Sequence, residues 1–197
     1  MRDVAGKSAD SGRRPGGGAV TRATLLAVVL LLVAGCLLRW ATVEARAGWE
    51  HDDVLVFAAG SGHPASDWTA LEGRWVPAGQ WAALLVPRAG TSPGEIAARI
   101  PEYGHVHPPL WYWTVHAWTR VFGVSLRSVP LLNGLFSIAS GLVLFSLARR
   151  LLGSALAALP ALAFWAFSPG AIGVTALERP YELLTLLTVS LAWLLLP

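Results

Sequence analysis

"HVHPPLWYWTVHAWTRVFG", His105 to Gly123, decides how many times this chain crosses a membrane. It is apolar and denser in aromatic residues than any other stretch, yet it carries His116 and Arg120. Leu110 to Phe122 makes a helix of only about 20 Å, too short for a hydrocarbon core of about 30 Å. Pro108 and Pro109 suit the first turn of such a helix, where a missing N–H goes unnoticed. Trp111, Val115, Trp118 and Phe122 recur on one helical face, while Trp113, His116 and Arg120 line another. The spacing predicts an amphipathic helix lying in the interface with its aromatics at headgroup level. The alternative is a tilted transmembrane hairpin with Gly123 to Arg127 inside. That arrangement puts Arg149 and Arg150 outside, against the cytoplasmic bias of basic residues.

Composition supports a membrane setting. The 197 residues are 54% hydrophobic and 14% charged, with a mean hydropathy of +0.53, whereas a soluble domain carries about a quarter charged residues. The net charge of +3 is modest, and much of it sits in the N-terminal tail. That speaks for orientation in a bilayer rather than nucleic-acid binding. The single Cys36 excludes an internal disulfide framework and a cysteine-based zinc site.

The fold class that follows is an all-α polytopic membrane protein, with transmembrane helices plus amphipathic juxtamembrane helices in the first external loop. Residues 1–22 are Gly-rich and basic and read as a disordered cytoplasmic tail. Residues 23–41 hold the first transmembrane helix, with Arg39 snorkelling and Trp40 anchoring the far interface. "VAGC" ending at Cys36 resembles a lipoprotein cleavage box, and "ARA" at Ala45 to Ala47 a signal-peptidase site. The long basic tail and the later spans weigh against both. Residues 42–128 form the external loop. Residues 129–197 hold further transmembrane helices, the first running from Pro130 to Ala148 and closed by Arg149 and Arg150. Leu151 to Leu177 returns outward, with a kink expected at Pro160 and a break at Ser168 to Gly170. The last apolar run stops at Pro197 without a flanking charge, so the chain reads as the N-terminal part of a longer protein, inactive alone.

Three polar clusters fall on the external side. Glu50 to Asp53 supplies adjacent carboxylates beside a membrane surface, suited to a general base or a cation site, or simply to a solvated loop. His105 and His107, with His51, Asp52 and Asp53, offer nitrogen and oxygen ligands for a divalent metal, or hydrogen-bonded histidines at a helix entry. Arg179 and Tyr181 in "LERPYE", and Arg127 before the second span, offer a planar cation for a lipid-linked phosphate, or interfacial anchors.

The order of these clusters resembles a known family. An acidic pair after the first span, "HPPLWYW", "FGVSLRSVPLLNGLFSIASGLVLFSLARRLLG" and "SPG…ERPYELL" are similar to the GT-C type of integral-membrane glycosyltransferase. The bacterial relatives of dolichyl-phosphate-mannose protein mannosyltransferases are the subgroup they resemble most, from about Trp49 onward. The resemblance implies transfer of a hexosyl, mannosyl-type group from a polyprenyl-phosphate carrier to an extracytoplasmic acceptor, at the plasma membrane, with the N-terminus cytoplasmic. It places the catalytic acids on Asp52 and Asp53, with Asp52 as base. It places the helix-entry motif on His107, Pro108 and Pro109, and donor-phosphate binding on Arg179, Arg127 and Tyr181. A divalent cation held by Asp53, His105 and His107 is a candidate cofactor; membrane lipids and the lipid-linked donor are the expected partners. Asp53 departs from the family's more usual Glu, and Ser66 to Gly90 is an added stretch. The alternative function is a truncated, non-catalytic membrane scaffold or partner subunit. A transporter is disfavoured by the lack of charge inside the complete predicted spans.

Overall fold

The structure, a computed structural model, describes residues 21–104 and 107–196. The expected tail and His105 therefore lie largely or wholly outside the described residues. Among the described residues the fold is all helical, as the composition required.

Helix α1, Arg22–Glu44, starts where the Thr21 hydroxyl accepts from the Thr24 N–H at 3.1 Å, a capping contact for one of the orphan donors of the first turn. Helix α7, Ser128–Leu152, is the second helix long and apolar enough to cross a bilayer. Helices α8, Ala155–Phe167, and α9, Pro169–Thr175, make a third span only as a pair bent by 52°. Pro160 lies inside the continuous α8, so the chain breaks at Ser168 and Pro169 rather than at Pro160. Helix α10, Tyr181–Leu195, is shorter but lies alongside α7, where the Trp193 indole donates to the Ser146 hydroxyl at 3.0 Å.

These segments alternate in direction. The end of α1 meets the start of α7 through Arg127 and Glu44 at 2.8 Å, and the Arg39 guanidinium donates to the Trp165 carbonyl of α8 at 2.9 Å. Because residues 44 and 127 sit side by side, everything between them begins and ends at one end of the bundle. That overturns the hairpin alternative, which needed the start of α7 at the opposite end.

The intervening residues fold rather than loop. They form α2, His51–Ser61, α3, Ala65–Thr69, α4, Ala78–Leu85, α5, Pro93–Arg99, a 3₁₀ turn at Ile100–Tyr103, and α6, Pro109–Phe122. A shared core of Val56, Phe57, Ile96, Trp111, Tyr112 and Val115 joins α2, α5 and α6, and Val129 and Leu132 fasten it to α7.

Two expectations need correction here. His116 does not face out with Trp113 and Arg120. It is buried, with Nδ1 2.8 Å from the Gly60 carbonyl, and the buried face of α6 combines Trp111, Tyr112 and Val115 with His116 and Thr119. The outward face carries Leu110, Trp113, Val121 and Phe122. A wheel drawn for water turns the apolar stripe inward; beside lipid both faces can be apolar, and the polar groups go where backbone carbonyls meet them. Nor does Arg39 snorkel. α1 continues past it to Glu44, and Arg39 is only 3% exposed, with Nε on the Ser137 hydroxyl at 2.9 Å and the guanidinium 4.2 Å over the Trp165 ring.

Trp165 is wedged between α1 and α7 at two glycines. A Cβ on Gly35 would lie 2.7 Å from its ring, and one on Gly141 would lie 2.8 Å from it. Gly141→Ala is therefore expected to destabilise the bundle by about 1–3 kcal/mol, read as a lower thermal midpoint in detergent. Gly134→Ala, on the same helix with open space around it, should not. Equal midpoints for the two variants would contradict this packing.

Candidate active site

Helix α2 begins with a capping box. The Glu50 side chain accepts from the backbone of Asp53, and the Asp53 carboxylate accepts from the Glu50 N–H at 2.9 Å. Carboxylates in a first turn are also favoured by the helix dipole. The box turns Asp53 inward and leaves its neighbour Asp52 outward, so adjacent acids acquire different surroundings.

Asp53 is 1% exposed and fully engaged. It takes a bond from the Arg46 guanidinium, and its other oxygen accepts from the Glu178 N–H at 3.3 Å. The same guanidinium reaches both Glu178 carboxylate oxygens, at 2.9 and 3.0 Å, and the Ala176 carbonyl at 2.5 Å. Glu178 has no exposed surface. Burial, followed by the facing Asp53 carboxyl, pushes it up from the ordinary 4.5 to about 8, while Arg46 pulls the other way.

The sign of that shift gives a stability prediction. The folded protein binds a proton at Glu178 that the unfolded chain releases near its ordinary value. The resulting stability is complete below about pH 4.5 and lost as pH rises through about 8. Thermal midpoints in detergent should fall across this window, and the fall should shrink in Glu178→Gln, which cannot ionise. An equally large fall in Glu178→Gln would contradict the assignment.

Asp52 is half-exposed and pairs with Arg179, a residue 127 positions away in the chain. Tyr112, buried beneath them in α6, is pushed up to about 12 by burial, with the nearby Arg179 acting in the opposite sense. Pro180, the next residue after Arg179, helps line an open apolar cavity of about 330 Å³. His107 and Pro108 form one wall with Trp111, and Tyr181, Leu184 and Leu187 form the other. Pro109 is the first residue of α6 and sets the entry of the chain into that wall.

The structure thus pairs Asp52 with Arg179 and sets His107, Pro108 and Tyr181 around a cavity that begins at the next residue, Pro180. It places Arg127 elsewhere, on the α1–α7 edge, paired with Glu44 and 5.9 Å from the Trp40 ring. The metal reading finds no matching donor set. Among the described residues no group of three His, Cys, Asp or Glu side chains converges closely enough to hold an ion, and the guanidinium on Asp53 is a poor neighbour for a cation. The third proposed ligand, His105, lies outside the described residues.

Three participants were missed in the sequence. Arg46 was hidden inside "ARA", which looked like a cleavage site. Glu178, next to the Arg-Pro-Tyr motif, reads in sequence as external polarity, and Tyr112 as one aromatic among many. Their signal is three-dimensional, with one weak linear trace: each of Glu178 and Asp53 immediately neighbours a residue of the exposed pair.

Residues 106–197 match the family model described as dolichyl-phosphate-mannose-protein mannosyltransferase. The matched segment, just under half of the chain, is similar to that family. The two helices long and apolar enough to cross a bilayer, with the bent α8–α9 pair as a third span, make the chain an all-α polytopic membrane protein. The matched segment contains His107, the α6 to α10 helices and the Glu178 to Tyr181 motif, but it begins after α1, Arg46 and the acidic pair. The fold supplies what the match omits: α2 carries Asp52 onto Arg179 of the matched segment. No curated protein and no solved structure matches the chain.

Proposed function

We propose that this protein transfers a hexosyl, mannosyl-type group from a polyprenyl-phosphate carrier to an acceptor hydroxyl on the extracytoplasmic face of the plasma membrane. The observation that carries this reading is the meeting of Asp52 and Arg179 beside an apolar cavity in a scaffold similar to a mannosyltransferase family. Asp52 accepts the proton of the attacking hydroxyl as the new bond forms at the anomeric carbon. The electron pair of the breaking carbon–oxygen bond goes to the phosphate, and Arg179 compensates the charge gathering there. A guanidinium suits that task because its planar fork matches two phosphate oxygens. Tyr181 borders the phosphate, and the cavity between His107 and Leu187 receives the first isoprenes. Arg127 serves as a second, more exposed cation at the edge.

Basic residues support the orientation. Arg149 and Arg150 close α7 at the same end as the start of α1, where Thr24 and Ser154 share a groove, and Lys7, Arg13 and Arg14 precede α1. Both clusters belong on the cytoplasmic side, which puts Asp52 outside.

The test is a transfer assay on membranes from cells making the full-length protein, with radiolabelled polyprenyl-phosphomannose as donor. Label should move to a membrane or surface acceptor with release of polyprenyl phosphate. Membranes lacking the protein should show neither. No release above that background would sink the transferase reading and leave the non-catalytic scaffold.

A further inference from the structure

We propose that Arg46, Asp53 and Glu178 form a buried clamp whose role is to position Asp52 against Arg179. The idea rests on the transferase reading for its purpose but not for its geometry.

Each end of the clamp is one residue from a member of the exposed pair. Asp53 follows Asp52 in the first turn of α2, and Glu178 precedes Arg179 in the link between α9 and α10. Asp52 is 50% and Arg179 20% exposed, so the pair meets at partly open surface. The link, by contrast, is fastened at three successive residues. Arg46 holds the Ala176 carbonyl, Asn133 of α7 donates to the Leu177 carbonyl at 2.6 Å, and the Glu178 N–H is fixed to Asp53. The Glu178 side chain then returns to Arg46. Arg46 sits just past the end of α1, so one guanidinium ties three parts of the chain together: the α1 exit, the start of α2, and the link.

The chemistry suits positioning better than bulk stability. A buried ion pair is commonly no more stabilising than a well-packed apolar substitute, because each charge must leave water. What it does supply is a single allowed geometry, since its donors and acceptors are satisfied only in one register. Arg46 bonds the Asp53 carboxylate, the proton-holding Glu178 carboxyl and a carbonyl, and these could not all persist if α2 slid against the link. Misplacing a reacting group by about 1 Å can cost on the order of 100-fold in rate.

The experiment uses the full chain in detergent, in a Cys36→Ala background, with nitroxide labels on Asp52→Cys and Arg179→Cys. This choice removes the exposed ion pair itself, so the pair cannot mask the effect of losing the clamp. A control pair, Ser146→Cys with Trp193→Cys, reports the far end of the bundle, where the two side chains meet at 3.0 Å. With the clamp intact the distribution of distances between positions 52 and 179 should be narrow. Arg46→Met should broaden it about twofold or more while leaving the control pair unchanged, and Arg46→Lys should restore part of the narrowing. Should Arg46→Met disturb the control as well, Glu178→Ala is the deciding variant, because Arg46 and Asp53 remain paired in it. A distribution as narrow as the parent's, in whichever variant keeps the control intact, overturns the clamp.

Turnover adds the functional half. In the unlabelled enzyme, Arg46→Met should lower kcat by about 100-fold with a much smaller change in KM for polyprenyl-phosphomannose, with partial rescue by Arg46→Lys. An unchanged kcat with a broadened distance distribution would refute the positioning role. If the parent shows no transfer at all, the transferase reading fails, yet the distance measurement still decides whether the clamp exists.

Discussion

Asp52→Asn is expected to lower sugar transfer by about 1,000-fold, the middle of the range for losing a positioned general base, while leaving the protein folded and inserted. Asparagine keeps the size of the side chain and one oxygen toward Arg179, but its amide cannot accept the acceptor's proton. Because Asp52 is half-exposed and outside the apolar core, the thermal midpoint should barely move. Asp53→Asn makes the contrast. It disturbs a fully buried carboxylate in contact with Arg46, and breaking such a pair costs about 3–5 kcal/mol. Asp52→Asn thus loses rate alone, whereas Asp53→Asn loses stability as well. The pair of measurements is transfer from polyprenyl-phosphomannose and thermal unfolding, on both variants. Normal turnover in Asp52→Asn would remove the base from the mechanism.

Arg179→Ala should follow closely, with a loss on the order of 100- to 1,000-fold in kcat/KM. The leaving phosphate gains charge as its bond to the sugar breaks, so the loss should fall more on kcat than on KM. Arg179→Lys should recover only part, because an ammonium presents a point charge instead of a planar fork. Arg127→Ala is the comparison. Its guanidinium is well exposed and bonded to Glu44 on the α1–α7 edge, so about a tenfold loss or less is expected, as for a peripheral charge. Equal losses at the two arginines would mean that the phosphate lies nearer the α1–α7 edge than the cavity beside Asp52.

The spans were legible because crossing a bilayer demands a length and an apolarity that few other structures need. α7 followed from Pro130 to Ala148 with its closing arginines, and the bend between α8 and α9 followed from Ser168 and Pro169. The short α6 was legible for the same reason in reverse: it cannot cross. Its facing was not, because the helical wheel cannot tell whether lipid or protein lies on each side. Arg39 was misjudged because the apolar run ends there, whereas α1 itself ends at Glu44, two turns into the territory of the site. The Asp52–Arg179 pairing was foreshadowed by motif order alone. The Arg46 clamp was not, since its carboxylates lie 7 and 132 residues from the guanidinium in the chain. Nothing in local spacing links such distant charges; only the fold of the intervening helices does.

The most direct test of the whole account is the anomeric configuration of the product. In a single displacement the sugar enters between the two side chains and their pair opens. Asp52 then takes the proton of the attacking hydroxyl while Arg179 receives the phosphate on the opposite face, which must invert the anomeric carbon. Transfer from a β-linked polyprenyl-phosphomannose to the acceptor, read by the anomeric coupling in NMR or by linkage-specific mannosidases, should therefore give an α-linked mannose. A β-linked product would mean retention and would contradict Asp52 as the base of a direct displacement.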